Sequence, residues 1–134
     1  MIVADTNLVA YLLIEGDKTD LAREIWERES PWMLPTLWRS EFLNVLATST
    51  RARVLTRQQA HEIWHRALIL FGSHEFEPSG DEVLDIAAER GLSAYDAQFV
   101  ATALKLDLPL VTSDRRLLAA CPDVARSAAR FRPT

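Results

Sequence analysis

Two aspartates stand directly after the two most strand-like segments of this 134-residue chain. Asp5 follows the apolar run Ile2-Val3-Ala4, and Asp114 follows the run Leu110-Val111-Thr112 after a single serine. Neighbouring parallel strands lie about 4.8 Å apart and end at the same edge of a sheet. If these two strands are neighbours, the sequence therefore predicts a pair of carboxylates at one sheet edge.

Two further acids are placed where helices are expected to begin. Glu41 precedes Asn44 by three residues, so the two share a helix face, and Asp96 lies in the first turn of a helix beginning near Ser93. Crowded carboxylates repel one another and resist burial, and a hard divalent cation with oxygen ligands relieves both problems. Such a site can orient a phosphodiester and generate a hydroxide nucleophile. The chemistry that this set of acids best supports is phosphodiester hydrolysis.

Each acid also has a purely structural interpretation. Asp96 fits the third position of a capping box that begins at Ser93, and Asp5 and Asp114 fit the N-caps of the helices that follow them. Glu41 alone is typical of a solvated helix surface. The functional interpretation depends on the convergence of all four acids, which hydrophobic periodicity cannot show.

Strand-like and helix-like segments alternate along the chain, which predicts an α/β domain with a mostly parallel sheet. Weaker strand candidates are Trp32-Met33-Leu34, His74-Glu75-Phe76 and Val124-Ala125-Arg126. Apolar stripes with helical spacing are Leu21/Ala22/Ile25/Trp26, Trp38/Phe42/Val45/Leu46 and Ala60/Ile63/Trp64/Ala67/Phe71. Further helices are expected from Ser79, from Ser93 and from Asp114. In such sheets, ligands bind beyond the carboxyl ends of the strands, where Asp5 and Asp114 stand.

The composition is typical of a soluble protein, with 49% hydrophobic and 25% charged residues. No linker or repeat divides the sequence, which predicts a single domain over residues 1–134. One cysteine, no signal-like start and no long apolar run predict a cytoplasmic protein without a membrane partner. The net charge of −4 argues against nucleic acid only weakly, because 13 of the 15 basic residues are arginine, which suits phosphate.

Four segments of the chain resemble the motifs of the PIN-domain family, and within it the VapC-like toxins of bacterial toxin–antitoxin pairs. The segments occur in the family's order and approximate spacing, and together they span nearly the whole chain. They are Asp5-Thr6-Asn7-Leu8-Val9-Ala10-Tyr11-Leu12, Glu41-Phe42-Leu43-Asn44-Val45-Leu46, Ser93-Ala94-Tyr95-Asp96-Ala97 and Leu108-Pro109-Leu110-Val111-Thr112-Ser113-Asp114. The last segment is the most specific of the four.

The resemblance implies an α/β/α sandwich with a five-stranded parallel sheet in the order 3-2-1-4-5. It also implies that four catalytic carboxylates gather around Mg²⁺ or Mn²⁺. These are Asp5, Glu41, Asp96 and Asp114.

By the same resemblance, Asn7, Thr112 and Ser113 match positions that support the site by hydrogen bonding. The implied reaction is endonucleolytic cleavage of RNA (tRNA, rRNA or mRNA) by a metal-activated water. The implied partners are a cognate antitoxin and a second copy of the chain in a homodimer.

The chain departs from some relatives beyond the fourth motif, where Arg115 and Arg116 stand in place of a further acid. Only four carboxylates then match the family positions, which argues against a second metal bound before the substrate. The two arginines are candidates for holding RNA phosphate, and a solvated first helical turn is the alternative.

A different enzyme class is suggested by His61-Glu62-Ile63-Trp64-His65, which fits the H-E-x-x-H pattern of zinc metalloproteases. The extended pattern would need glycine and histidine where Leu68 and Phe71 stand, so its third ligand is missing. A helical wheel places both histidines toward the solvent flank, which favours ordinary surface residues.

Two other functions remain open within the same fold. One is a housekeeping RNA-processing nuclease, and the other is a catalytically silent module that binds RNA or a partner. Retention of all four acids at motif positions favours activity over silence, because a cluster of unpaired carboxylates is otherwise a liability.

Overall fold

Five short parallel strands form one sheet in the computed structural model, which describes residues 1–131. In chain order they are β1 (Ile2–Ala4), β2 (Trp32–Pro35), β3 (Glu75–Phe76), β4 (Leu110–Thr112) and β5 (Ala125–Ser127). Across the sheet the order is β3-β2-β1-β4-β5, and each neighbouring pair is parallel. The expected fold is confirmed, with the limits of the three weaker strands shifted by one residue. The predicted domain runs to residue 134, and its last three residues lie outside the described part.

Helices connect the strands, and most begin at a side chain that caps the first turn. Within residues 1–131 they are α1 (Thr6–Leu13), α2 (Thr19–Glu29), α3 (Trp38–Arg51), α4 (Arg57–Phe71), α5 (Gly80–Arg90), α6 (Ala94–Leu106), α7 (Arg115–Ala120) and a 3₁₀ turn at Ala128–Arg130. The predicted helix starts are confirmed, since Ser79, Ser93 and Asp114 each accept a backbone hydrogen bond from the following turn. At Ser79 the observed bond is from the N–H of Glu82.

The helices form two layers around the sheet. On one side α6 lies across β1, β2 and β4 and packs against α5, whereas α1 packs against α2 and α3, and α4 packs against β2. Strands β1 and β4 are completely buried, as their uninterrupted apolar sequences predicted. The two central strands are therefore rigid supports for whatever their carboxyl ends carry.

Aromatic side chains fill the core between β2 and the helices α2, α3 and α4. Trp32 and Trp38 are fully buried, and Phe71 contacts both, with ring centroids 5.9 and 5.7 Å away. Trp26 packs edge-on against Trp32 at 5.3 Å. This cluster fixes the start of α3 against β2.

In the part of the chain that the structure describes, no helix has the length and apolar character needed to cross a bilayer.

Candidate active site

The central pair of strands determines the geometry of the site. Because Ala4 pairs with Val111 across β1 and β4, the next residues along each strand, Asp5 and Thr112, stand side by side at the carboxyl edge. The hydroxyl of Thr112 donates a hydrogen bond of 2.5 Å to Oδ2 of Asp5. The same hydroxyl oxygen accepts the backbone N–H of Asp114 at 3.0 Å. One threonine thus links the two strand-end aspartates.

All four predicted acids line a single cavity of about 260 Å³ at this edge of the sheet. Its walls are Asp5, Thr6, Asn7, Glu41, Asn44, Val45, Asp96, Phe99, Asp114 and Leu117. The acids come from the ends of two strands and the first turns of α3 and α6, four places far apart in the sequence. The structure therefore brings together the residues whose convergence the sequence could not show.

Asp5 is the most deeply buried acid of the four, with 7% of its surface exposed. Its Oδ1 accepts the backbone N–H of Leu8 at 2.8 Å, so it does cap α1, and its carboxylate also accepts the backbone N–H of Ser113. Burial raises the pKa of Asp5 because it disfavours the charged form. The hydrogen bond from Thr112 and those from the two backbone groups oppose this, and the charge of Asp114 adds to it. The capping and site roles coincide in one carboxylate.

Glu41 lies in the first turn of α3 and is half-buried against the cavity. Its Oε1 accepts a hydrogen bond of 2.7 Å from the hydroxyl of Thr6. Burial is the largest cause of its raised pKa, and the nearby charges of Asp96 and Asp5 raise it further, while Thr6 lowers it. The sequence prediction missed Thr6, although a hydroxyl directly after Asp5 in the first turn of α1 was an available signal.

Asp114 and Asp96 complete the cavity from helix starts. Oδ1 of Asp114 accepts the backbone N–H groups of Arg116 and Leu117 at 2.8 and 3.3 Å, so this aspartate caps α7 as expected. The backbone N–H of Asp96 donates to the Ser93 hydroxyl at 3.1 Å. The Asp96 carboxylate lies 3.9 Å from the Arg116 guanidinium, a loose and mostly exposed ion pair. Asp114 therefore caps its helix as predicted, whereas at Ser93 the bond from the Asp96 N–H is the only part of the predicted capping box that forms within residues 1–131. Both carboxylates line the cavity.

The other predicted site residues differ in how they lie relative to the cavity. Thr112 and Asn7 lie at the cavity, with Thr112 buried beneath Asp5 and Asn7 exposed in its wall. The backbone N–H of Ser113 donates to the Asp5 carboxylate. Arg115 and Arg116 stand exposed beside the cavity, at the start of α7.

The donor chemistry of the cavity fits a hard divalent cation, because carboxylate oxygens are the ligands that Mg²⁺ and Mn²⁺ prefer. Within residues 1–131, no three side chains of His, Cys, Asp or Glu converge closely enough in this structure to hold a metal ion. Binding a cation would therefore require side-chain adjustment within the cavity. Burial raises the pKa of Glu41, and the nearby charges of Asp96 and Asp5 raise it further, as expected of carboxylates that share one cavity.

The zinc-like pattern on α4 does not form an enclosed site. His61 and His65 are both exposed, as the helical wheel predicted, and their ring centroids are 6.5 Å apart. Within residues 1–131 no third metal-binding side chain lies close enough to join them in a metal site. The two histidines are surface residues of an amphipathic helix.

A larger groove of about 1180 Å³ lies at the opposite edge of the sheet. Its walls include Met1, Pro109 and Val124, which precede β1, β4 and β5. It mixes acids and bases such as Asp123 and Arg126 and contains none of the four predicted acids. Size alone does not identify a site, and ligands of parallel sheets bind at the carboxyl edge.

A sequence model of the PIN domain matches residues 2–121. The chain belongs to the PIN domain family. Among curated proteins, this PIN chain is 54% identical over 43 residues to exonuclease VapC9 of Pyrobaculum aerophilum, a stretch that covers 32% of each protein. The match thus spans about a third of that relative's length.

Solved structures with the same fold cover nearly all of the PIN chain. The crystal structure of PAE2754 from Pyrobaculum aerophilum superposes with a TM-score of 0.74 and 29% identity, over 96% of this chain and 93% of that one. A toxin–antitoxin complex from Klebsiella pneumoniae has a TM-score of 0.71 at 19% identity, over 96% and 98% of the two chains. FitAcB from Neisseria gonorrhoeae has a TM-score of 0.74 at 18% identity, over 98% and 100%.

Proposed function

We propose that this PIN-domain chain is a Mg²⁺- or Mn²⁺-dependent endoribonuclease and the toxin component of a toxin–antitoxin module. The observation that carries the proposal is the single cavity lined by Asp5, Glu41, Asp96 and Asp114 at the carboxyl edge of the sheet. Carboxylates that are close, partly buried and incompletely neutralised are suited to binding a divalent cation. The name of the relative VapC9, an exonuclease, supports nuclease activity.

In the proposed reaction the four carboxylates hold the cation, and the chemistry that it supplies when bound is the activation of water and the neutralisation of phosphodiester charge. Thr112 orients Asp5, since its hydroxyl and the N–H of Leu8 fix separate oxygens of that carboxylate. Thr6 orients Glu41 in the same way through Oε1. These hydrogen bonds restrain Asp5 and Glu41 before substrate arrives.

Arg115 and Arg116 are proposed to hold RNA phosphate at the cavity entrance. They are exposed, and Arg116 is only loosely paired with Asp96. We expect replacement of both with alanine to weaken RNA binding and to reduce its dependence on salt, because phosphate contacts release counterions. An unchanged salt dependence would exclude them from the RNA-binding surface.

The partners and location are proposals of the same kind. One structural relative is a toxin–antitoxin complex from Klebsiella pneumoniae, and at 19% identity the similarity to it shows the fold alone. We propose a cognate antitoxin, a homodimer and a cytoplasmic location. Growth arrest on expression that is relieved by a neighbouring small gene product supports the toxin; normal growth favours a housekeeping RNA-processing nuclease.

The test is cleavage of a mixed cellular RNA pool by purified protein in Mg²⁺, Mn²⁺ or EDTA. Asp5→Ala and Asp96→Ala are compared with the wild-type protein, and Asp85→Ala, an exposed acid of α5 outside the cavity, serves as the matched control. Loss of a group that stabilises the transition state lowers rates by roughly a hundredfold or more. We expect that loss in both cavity variants and in EDTA, and near-normal cleavage in the control.

A circular RNA distinguishes the mode of cutting, because it has no ends for an exonuclease. Linearisation of the circle supports endonucleolytic cleavage, and cutting confined to linear RNA contradicts it. Cutting that persists in EDTA or in both cavity variants rules out the proposed site. Tight RNA binding without cleavage in any metal would instead indicate the silent binding module.

A further inference from the structure

A cluster of arginines stands at the far end of the helix that carries Glu41. Residues 51–57, here called the hairpin tip, connect α3 to α4 and include Arg51, Arg53 and Arg57. All three are exposed. Within residues 1–131 none of them forms an ion pair, whereas Arg23, Arg28, Arg39, Arg90 and Arg116 each do. The hairpin tip is thus a concentration of unpaired positive charge on a chain whose net charge is −4.

Helix α3 connects this cluster to the cavity along one exposed face. Asn44 lines the cavity, Thr48 lies one turn further on, and Arg51 follows seven residues after Asn44, which returns it to within about 20° of the same direction. The Arg51 guanidinium donates to the Thr48 hydroxyl at 3.3 Å, so its side chain lies back along that face. A continuous polar row therefore leads from the acids to the hairpin tip.

Two of the three arginines occupy positions that folding alone would give to other residues. Arg53 has a φ of 59°, in the left-handed region that favours glycine or asparagine. Arg57 is the first residue of α4, where the helix dipole favours acids, and the first turn of α4 contains none. Departures from local preference that gain nothing in the fold are expected at functional positions.

We propose that the hairpin tip binds the phosphate backbone of the RNA whose scissile bond lies at the cavity. Arg51 follows Glu41 by ten residues along α3, a distance of about 15 Å at a rise of 1.5 Å per residue. A stacked strand advances about 3.4 Å per nucleotide, so the contact reaches phosphates roughly four nucleotides from the cut. The hairpin tip then determines how long an RNA must be for full affinity. This inference rests on the proposed ribonuclease function.

The test measures binding of fluorescein-labelled oligouridine of 12 nucleotides by anisotropy, in EDTA, over a range of KCl concentrations. Arg53→Gly/Arg57→Gln removes two charges from the hairpin tip. Arg23→Gln/Arg28→Gln removes two charges from α2, where the side chains are comparably exposed at 53% and 55%. We expect the hairpin-tip variant to lose roughly tenfold in affinity and about 1.4 units of log–log salt slope, at 0.7 per phosphate contact. The α2 variant should bind as the wild-type protein does.

Length dependence gives a second readout in Mg²⁺. A trinucleotide is too short to reach the hairpin tip, so the variant should cut it as fast as wild type and should cut the 12-nucleotide RNA with a raised KM. The proposal is overturned if the hairpin-tip variant and the α2 variant weaken RNA binding equally. It is also overturned if neither variant weakens RNA binding. If neither changes RNA binding, a protein partner is the remaining use of the surface.

A folding defect, or failure of the proposed ribonuclease function, can be distinguished from failure of this inference. Arg53→Gly places glycine at a φ of 59°, which relieves backbone strain, so a folding defect does not explain weaker RNA binding by the hairpin-tip variant. Arg53→Lys keeps the positive charge at this position, so it should restore the affinity that Arg53→Gly removes. If RNA is cut but the hairpin-tip variant binds normally, this inference fails and the nuclease stands. If binding changes as expected but nothing is cut, the nuclease proposal fails while the RNA-binding surface stands.

Discussion

Two glutamates at the first turn of α3 have opposite electrostatic surroundings. Glu75, on β3, accepts from Arg39 through both oxygens at 2.7 and 2.8 Å and from the Trp38 indole at 2.8 Å. Those hydrogen bonds, the Arg39 bond above all, hold its pKa below the usual range. Glu41, a few residues along α3, has one hydroxyl partner in Thr6 and a raised pKa.

The difference separates a structural acid from one that is free to act. The negative charge of Glu75 is already balanced by Arg39. Its hydrogen bonds connect β3 to α3, and both of its carboxylate oxygens are occupied. At Glu41 the nearest charges are other acids, and burial raises the cost of ionisation further. Residue type alone would not tell these two glutamates apart. The partner atoms, supplied by distant parts of the chain, assign their roles.

Neutralising each glutamate in turn should change stability in opposite directions. In EDTA at pH 7, Glu75→Gln should lower the free energy of unfolding by about 1–2 kcal/mol, because charge-assisted hydrogen bonds to Arg39 become neutral ones. Glu41→Gln keeps an acceptor for Thr6 and removes a half-buried charge, so stability should stay constant or rise. Urea unfolding of both variants measures this. A similar loss in both would mean that the cavity acids are stabilised by contacts that the geometry does not show.

The pH dependence of stability should carry the same opposition. A carboxyl whose folded pKa is lowered, like Glu75, contributes stability above its unfolded pKa of about 4.3, and that contribution is lost as pH falls through the folded value. Carboxyls whose folded pKa is raised, like Asp5 and Glu41, bind protons more readily when folded, so stability increases as pH falls through their folded pKa toward the unfolded value.

We therefore expect the urea midpoint of the metal-free protein to rise as pH falls from neutral toward the unfolded carboxyl pKa of about 4, and to fall at lower pH. Glu41→Gln should flatten the first limb of the curve, and Glu75→Gln should flatten the second. A wild-type midpoint that only declines from pH 7 downward would contradict the raised pKa values in the cavity.

The fold was predictable because its strongest signals are local. The apolar runs of β1 and β4 and the serine and aspartate caps of α5, α6 and α7 each announce an element within a few residues. The capping box at the start of α4, from Thr56 to Gln59, was equally local and was overlooked. Strand limits at β2, β3 and β5 shifted by one residue, since parallel pairing decides where a short strand ends.

The site was only partly predictable because its partners are distant in sequence. Asp5 and Asp114 follow from the carboxyl-edge rule, but their link through Thr112 depends on the β1–β4 register. The bond from Thr6 to Glu41 spans 35 residues, so the position of Thr6 directly after Asp5 marks its hydroxyl as a candidate but does not identify its partner. The resemblance to the PIN-domain motifs supplied the grouping of the four acids, whereas the placement of the arginines in the hairpin tip became visible only in the structure.

The contrast between balanced and unbalanced charge extends to the arginines and gives the smallest expected effect. Arg39 is paired with Glu75, so Arg39→Gln should destabilise the fold, whereas Arg57 has no acid partner within residues 1–131 and lies where the dipole of α4 disfavours it. Arg57→Glu should therefore raise the free energy of unfolding by about 0.3–1 kcal/mol at low salt. High salt should remove the gain, because exposed charges are screened. Urea unfolding at two KCl concentrations measures both effects. A loss of stability in Arg57→Glu would mean that Arg57 is already balanced within the fold, and it would remove the reason to assign the hairpin tip a binding role.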